Sequence, residues 1–176
     1  SRPASGIYVQ YYKFLRYGIA GYQKICDHMM THAHKIREGL GKMKFEGKAR
    51  FTILDDGDKN CLPVVTAMLN PECNFEYDDI DLQHAISEHN WYVSGYKMNF
   101  EDPITKQDKP IFTDQDGSKT MFRIVVKSNI NSVMVDNLID SFGKTLEMLD
   151  SIEFKNKANG TFKGMHRKKN LFSKHC

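Results

Sequence analysis

The sequence predicts an α+β domain in which helices cover one face of a small, mainly antiparallel sheet of three or four strands. A long segment with helical spacing, 7–43, opens the chain. Segments with strand composition then follow in two pairs, and a helical segment comes after each pair. Helices gathered on one face of such a sheet would bury the apolar residues of both kinds of element.

The first helix is predicted from apolar residues that recur at helical spacing between Ile7 and Leu40. Ser5 is expected to cap its start, and Gly41 to end it. Gly18 and Gly21 each weaken the middle by roughly 1 kcal/mol relative to alanine. They are therefore expected to mark a bend or a close packing contact.

The remaining elements are predicted from composition and turn residues. A helix at 79–89 is capped by Asp78 or Asp79, and a final helix begins at Asn131 or Ser132 and runs to about Ser151. The polar segment 100–119, with two prolines, is expected to be a long loop. The strands are predicted at 49–54, 62–69, 91–98 and 121–127, the second being central because it is apolar almost throughout.

Composition limits the partners that the chain requires. A net charge of only +3 does not call for a nucleic acid, and no apolar run is long enough to span a bilayer. The four cysteines lack the C-x-x-C spacing of a metal site, and such scattered cysteines without a secretory signal favour reduced thiols in the cytoplasm. We therefore expect a cytoplasmic protein without a metal, a nucleic-acid partner or a membrane segment.

Two sequence motifs resemble those of a known family. The first runs from the start of the chain into an aromatic helix, and the second lies in the last predicted strand. They are Ser1-Arg2-Pro3-Ala4 with Tyr11-Tyr12-Lys13-Phe14-Leu15-Arg16 and Gly21-Tyr22, and Phe122-Arg123-Ile124. Together they resemble the C-terminal part of the glutamate decarboxylases, a family of pyridoxal-phosphate (PLP) enzymes. The resemblance covers nearly all of 1–152 and weakens at 100–119 and in the tail, 153–176.

The resemblance implies a fold and a function. Residues 1–152, including the connecting helix 7–43, would form the small C-terminal domain of an aspartate-aminotransferase-type PLP enzyme. The complete enzyme would be a carboxy-lyase that converts L-glutamate to 4-aminobutyrate and carbon dioxide, and it would be a homodimer or a larger oligomer. The PLP lysine would lie upstream of Ser1. The chain is therefore expected to be a fragment that has no catalytic residue of its own and is inactive alone.

Arg123 is the strongest candidate for a binding residue. An arginine within an apolar strand is costly to bury unless it is paired, and its planar fork suits a carboxylate. The resemblance implies that Arg123 holds the α-carboxylate of the substrate and so fixes the bond that breaks. The alternative is an arginine on an edge strand with its head group in solvent.

Ser1 precedes the start of a helix, where backbone N–H groups and a hydroxyl suit a phosphate. The resemblance implies that Ser1 reaches the PLP phosphate of the neighbouring subunit. The alternative is that Ser1 is only a chain end.

Other patterns are weaker. His34-Lys35 looks like the histidine–lysine pair that holds PLP, but it lies in a charged helix, so we interpret it as a solvated face. His28 and His32 have the spacing of two zinc ligands but no third ligand is evident, so surface histidines are favoured. The segment after Asp114 fails the calcium-loop pattern at its sixth and twelfth positions.

The tail contains seven lysines and arginines between 154 and 176, together with aromatic residues. One interpretation is a helix that binds calmodulin, as in some plant relatives. Another follows from the resemblance: some bacterial members end in a similar Phe-Lys-His plus one residue, which implies that the penultimate His175 closes over the active site, with a pH dependence set by the histidine. The third is a disordered basic tail.

Two other functions remain open. The complete protein could be a PLP decarboxylase that acts on a different amino acid, because nothing in the sequence fixes the side-chain pocket. The chain could also be a non-catalytic regulatory or binding module derived from such an enzyme.

Overall fold

A computed structural model describes residues 3–55, 57, 61–110 and 119–158. Its three α-helices and eight strands, with one short 3₁₀ helix at Pro71–Cys73, follow in chain order: α1 Ser5–Lys42, β1 Lys44–Phe45, β2 Lys48–Ala49, β3 Phe51–Ile53, β4 Val64–Leu69, α2 Asp79–Ser87, β5 Ser94–Lys97, β6 Asn99–Glu101, β7 Asp108–Pro110, β8 Thr120–Val125 and α3 Ser132–Ala158.

The main sheet has four strands in the order β3-β4-β8-β5, and every neighbouring pair is antiparallel. All three helices contact one another or this sheet, and the buried side chains form one core. The predicted α+β fold is therefore confirmed. The predicted central position of the second strand, β4, is confirmed as well, because β4 lies between β3 and β8.

The strand register separates the two faces of the sheet. Val65 lies opposite Ile124, and Ala67 lies opposite Phe122, and all four side chains are buried. Side chains alternate between faces along a strand, so the residues between them lie on the other face. We call this second face, which carries Val64, Thr66, Arg123, Val125, Ser94 and Tyr96, the open face.

The core is built on three phenylalanines. The Phe122 ring lies 5.4 Å from that of Phe51 and 5.6 Å from that of Phe142, centroid to centroid. Phe142 brings α3 onto the sheet, and Ile36 and Leu40 bring α1 there. The core thus joins the first and last helices of the described chain through the two central strands.

The first helix is broken at Gly18, where φ is 55° and ψ is −171°. A side chain is strained at such a positive φ, which explains why glycine occupies the break. The predicted bend is confirmed, but the predicted cap is wrong: Ala4 occupies the N-cap position, and no side chain caps the helix there.

The prediction of a long loop at 100–119 is wrong for the first part of this segment. Strands β6 and β7 pair there as a hairpin, and the Asp102 carboxylate accepts the backbone N–H groups of Ile104 and Thr105 at 2.8 and 3.1 Å. This turn chemistry closes the hairpin despite the polar composition.

Other elements also differ from the prediction. The third strand is shorter, at Ser94–Lys97, and the short pair β1 and β2 was not predicted. The last helix continues to Ala158 rather than ending near Ser151. Its predicted start is confirmed, because the Asn131 side chain accepts the N–H of Met134 at 2.9 Å.

A buried ion pair fastens α3 to the chain that enters β3. Arg50 is 5 % exposed, and its Nη2 lies 2.5 Å from Oδ2 of Asp150. Tyr77 donates its hydroxyl to the other oxygen of Asp150 at 2.8 Å. Removing one partner from such a pair leaves a buried charge without compensation, which is costly.

Asp79 joins three elements at the start of α2. It is 2 % exposed, and its carboxylate accepts the N–H of Leu69 at 2.9 Å and the hydroxyl of Thr120 at 2.8 Å. Asp78, one residue earlier, caps the helix in a reciprocal capping box with Asp81. Burial raises the pKa of Asp79 to about 6, although both hydrogen bonds act in the opposite direction.

We predict that Asp79→Asn removes part of the pH dependence of stability. The pKa of Asp79 is raised above its ordinary 3.8 to about 6 in the folded chain, so its contribution is complete below pH 4 and is lost as the pH rises through 6. Over this range the free energy of unfolding of the native chain should fall, relative to the variant, by up to about 3 kcal/mol. Urea unfolding at pH 4.5 and pH 7 measures this difference, and an equal difference at both pH values would contradict it.

We also predict that Phe142→Ala lowers the free energy of unfolding by about 3 to 5 kcal/mol, because it removes one of the three rings and leaves a cavity beside the other two. Met148→Ala is the matched control on the same helix, since Met148 is 42 % exposed, and it should change stability by no more than about 0.5 kcal/mol. Chemical denaturation monitored by circular dichroism distinguishes the two. Similar losses in both variants would show that α3 does not pack as described.

Candidate functional site

Arg123 lies in the middle of β8, which pairs with β4 on one side and β5 on the other. The strand is therefore central. The alternative placed Arg123 on an edge strand, and that placement is wrong. The side chain is nevertheless exposed, because it lies on the open face while Phe122 and Ile124 enter the core. Its backbone is thus fixed by two strands, and its charged group remains in contact with solvent.

Two hydroxyl residues flank Arg123 across the sheet. Thr66 of β4 and Ser94 of β5 are its direct cross-strand partners, so all three side chains lie on the open face. Tyr96 of β5 lies diagonally next to it, and the Arg123 Cζ atom is 5.7 Å from the centroid of the Tyr96 ring. This distance lies within the range of a cation–π contact.

The guanidinium of Arg123 has no hydrogen-bond or ion-pair partner among the described side chains. The other three arginines that the structure describes are all engaged: Arg16 donates to the Tyr12 hydroxyl at 3.0 Å, Arg37 to Asp55 at 2.7 Å and Arg50 to Asp150 at 2.5 Å. The N–H groups of Arg123 therefore remain available for two parallel hydrogen bonds to a carboxylate.

Asp55, the acidic residue bonded to Thr66, is already paired with another arginine. Asp55 accepts the backbone N–H of Thr66 at 2.7 Å and its hydroxyl at 3.1 Å, and it also pairs with Arg37. The Thr66 hydroxyl is thus directed to Asp55. The guanidinium of Arg123 therefore has no competing acid among the described residues and can bind a carboxylate from outside them.

Several predicted site residues lie outside the described part of the chain. These are Ser1, expected at the PLP phosphate, His175, expected to close the active site, and Asp114 of the rejected calcium pattern. The predictions that concern them and the basic tail beyond Ala158 are not tested by the structure.

The histidine–lysine pair is engaged in surface contacts, in agreement with the sequence interpretation. His34 lies 3.3 Å from Glu38, and its side chain is 64 % exposed. The Lys35 ammonium lies 2.6 Å from Asp136 and 2.9 Å from the hydroxyl of Ser132. Lys35 therefore joins α1 to α3, and its geometry does not fit a lysine that binds PLP.

The rings of His28 and His32 lie 4.2 Å apart, centroid to centroid, and are tilted by 48° to each other. His28 contacts the carbonyl of Ile130, and His32 contacts the carbonyl of His28. His32 is buried, so its interpretation as a surface residue was wrong. Within the described ranges, no group of three histidine, cysteine or acidic residues could hold a metal ion.

An apolar hollow of about 230 Å³ lies at the end of β8. Trp91, Tyr92 and Val125 line it, with Lys127 at its edge, and Arg123 does not. The hollow is too small for a drug-sized ligand, which needs about 300 Å³ or more. A cleft around Arg123 would therefore require walls in addition to the described residues.

The sequence analysis missed Tyr96 as a partner of Arg123. The two residues are 27 positions apart by their numbers, 123 minus 96, and they become neighbours only through the pairing of β5 with β8. The aromatic residue after Val93-Ser94-Gly95 was the available signal, but the register that places it beside Arg123 cannot be read from composition.

The chain is similar in sequence to curated glutamate decarboxylases. It is 24 % identical over 152 residues to glutamate decarboxylase 3 of Arabidopsis thaliana. This match covers 86 % of this chain and 26 % of that protein. It is 29 % identical over 152 residues to the glutamate decarboxylase of Lactococcus lactis, covering 85 % of this chain and 28 % of that protein. The chain thus spans about a quarter of the length of these relatives.

The fold is similar to a solved structure. The glutamate decarboxylase of Lactobacillus brevis superimposes with a TM-score of 0.66 and 24 % identity, over 85 % of this chain and 29 % of that one. No protein-family model matches the chain. No helix in the ranges given above is both long and apolar enough to cross a membrane. The resemblance to the C-terminal portion of glutamate decarboxylases is therefore confirmed, and the chain is related to that family over most of its own length.

Proposed function

We propose that the chain is the C-terminal domain of a glutamate decarboxylase, which converts L-glutamate to 4-aminobutyrate and carbon dioxide. The observation that carries this proposal is Arg123: its backbone is fixed by two strands, and its guanidinium has no hydrogen-bond or ion-pair partner among the described side chains. The relation to glutamate decarboxylases supplies the substrate class. Within this proposal Arg123 binds the α-carboxylate of glutamate.

The role of Arg123 follows from the geometry of its fork. Two parallel hydrogen bonds to a carboxylate fix both its position and its plane. The bond that breaks joins this carboxylate to the α-carbon, so holding the carboxylate in place also fixes the direction in which that bond points. Such orientation before reaction lowers the entropic part of the barrier.

We propose PLP as the cofactor, and it supplies the electron sink for the loss of carbon dioxide. The described lysine that follows a histidine, Lys35, is held by Asp136 and Ser132, so the PLP lysine is assigned to another part of the complete protein. Ser1 remains our candidate for contact with the PLP phosphate, and His175 for closure of the active site.

The exposed apolar side chains of α1 support the proposal that this chain is part of a larger protein. The segment of α1 before the break at Gly18 carries many large apolar and aromatic side chains, with Gln10, Lys13 and Arg16 between them. These large side chains are 41 to 71 % exposed: Ile7, Tyr8, Val9, Tyr11, Tyr12, Phe14, Leu15 and Tyr17. Exposed apolar surface of this extent normally marks a contact with other protein. We propose that the rest of the enzyme and a second subunit enclose it.

The proposed setting is the cytoplasm, and the free thiols of Cys26 and Cys73 support a reducing compartment. The interaction of the basic tail with calmodulin remains a proposal based on sequence composition.

We predict that Arg123→Gln reduces kcat/KM for glutamate by about 30-fold or more in the complete protein, because a hydrogen-bonded charge pair with substrate is lost. The free energy of unfolding of the domain should change by no more than about 0.5 kcal/mol, since the side chain is exposed. Measurement of 4-aminobutyrate formation and of urea unfolding gives both values.

Arg50→Gln is the matched control for the unfolding measurement, because Arg50 is buried and paired with Asp150. This substitution should lower the free energy of unfolding by about 3 to 5 kcal/mol. A complete protein that leaves glutamate unchanged would reject the proposed activity and favour a non-catalytic module. Activity on another amino acid, with the same dependence on Arg123, would retain the role of Arg123 and correct the substrate.

A further inference from the structure

We propose that Tyr96 is a positioning residue that holds the guanidinium of Arg123 by its face, so that its edge is presented to the substrate carboxylate. This inference rests on the proposed function of Arg123 and adds a residue to it. Two observations lead to it: the Arg123 Cζ atom is 5.7 Å from the Tyr96 ring centroid, and no described side chain holds the N–H groups of Arg123.

The contact with a ring differs in kind from an ion pair. A guanidinium donates hydrogen bonds in its own plane, whereas an aromatic ring attracts it through the face. Arg37 and Arg50 are held by carboxylates, which occupy the donors that a substrate would need. Tyr96 can restrict the orientation of Arg123 and leave these donors free.

The backbone fixes this arrangement. Tyr96 pairs with Met121, and Ser94 pairs with Arg123, so Tyr96 and Arg123 are diagonal neighbours on the open face. Tyr96 is half-buried, which restricts its ring more than that of an exposed tyrosine. The opposite neighbour, Thr66, is held by Asp55 and cannot take this role.

A restricted guanidinium also lowers the cost of binding. An exposed arginine side chain loses rotamer freedom when it grips a ligand, and part of that loss has already occurred when the ring holds it. The expected benefit is moderate, since cation–π contacts at exposed sites correspond to about a 2- to 5-fold change in affinity.

The test compares Tyr96→Leu with Tyr96→Phe in the complete protein. Tyr96→Phe keeps the ring, so KM and kcat for glutamate should remain within about 2-fold of the native values. Tyr96→Leu removes the ring, and kcat/KM should fall by about 2- to 5-fold. Tyr92→Leu is the matched control, because Tyr92 is 93 % exposed and contacts no arginine among the described residues; it should leave kcat/KM unchanged.

A double-mutant cycle separates positioning from a structural role. In an Arg123→Gln background, Tyr96→Leu should have no further effect on kcat/KM, whereas a structural role would lower activity in both backgrounds. Equal activity of the native protein and Tyr96→Leu, or equal losses in both backgrounds, would overturn the role of Tyr96 and leave the proposed function intact. A native protein without activity on glutamate would overturn both.

Discussion

The pairing of β8 with strands on both of its sides is the constraint on which the rest of the structure depends. This pairing fixes the alternation that sends Phe122 and Ile124 into the core and Arg123 to the open face. A shift of one residue would exchange the two sets and bury a charged guanidinium among phenylalanines. The hydrophobic core therefore enforces the exposure of Arg123, the side chain for which we propose substrate binding.

Buried polar groups fix the ends of the same strands. Asp79 is bonded to the last residue of β4 and the first residue of β8, so one carboxylate holds two strand ends beside the start of α2. Gly95 completes this corner, because a Cβ atom there would lie 2.6 Å from the carbonyl oxygen of Asp79. This close approach allows β5 to lie against α2, and it places the next residue, Tyr96, on the open face.

The sequence predicted the features that depend on local patterns. Helical spacing gave α1 and α3, and the residues Asp78 and Asn131 marked the starts of α2 and α3 because their caps are local hydrogen bonds. The hairpin of β6 and β7 was missed because its turn depends on Asp102, whose role cannot be distinguished by composition from that of a loop residue. Arg123 could be proposed as a binding residue from its strand together with the family resemblance, whereas Tyr96 and Asp55 could not, since their places follow from strand register and tertiary contacts.

The open face imposes a condition on any protein surface that covers it. Besides Thr66 and Ser94, Arg123 has Val125, Met121 and Tyr96 near it on this face, so a covering surface would withdraw the guanidinium from water. Removing an unpaired charge from water costs several kcal/mol, and an anion that accepts its hydrogen bonds offsets that cost. Since the described side chains supply no such anion, a covered Arg123 requires either a water-filled cleft or a bound carboxylate. A cleft that is wet when empty and sealed when a carboxylate is bound satisfies this requirement in both states.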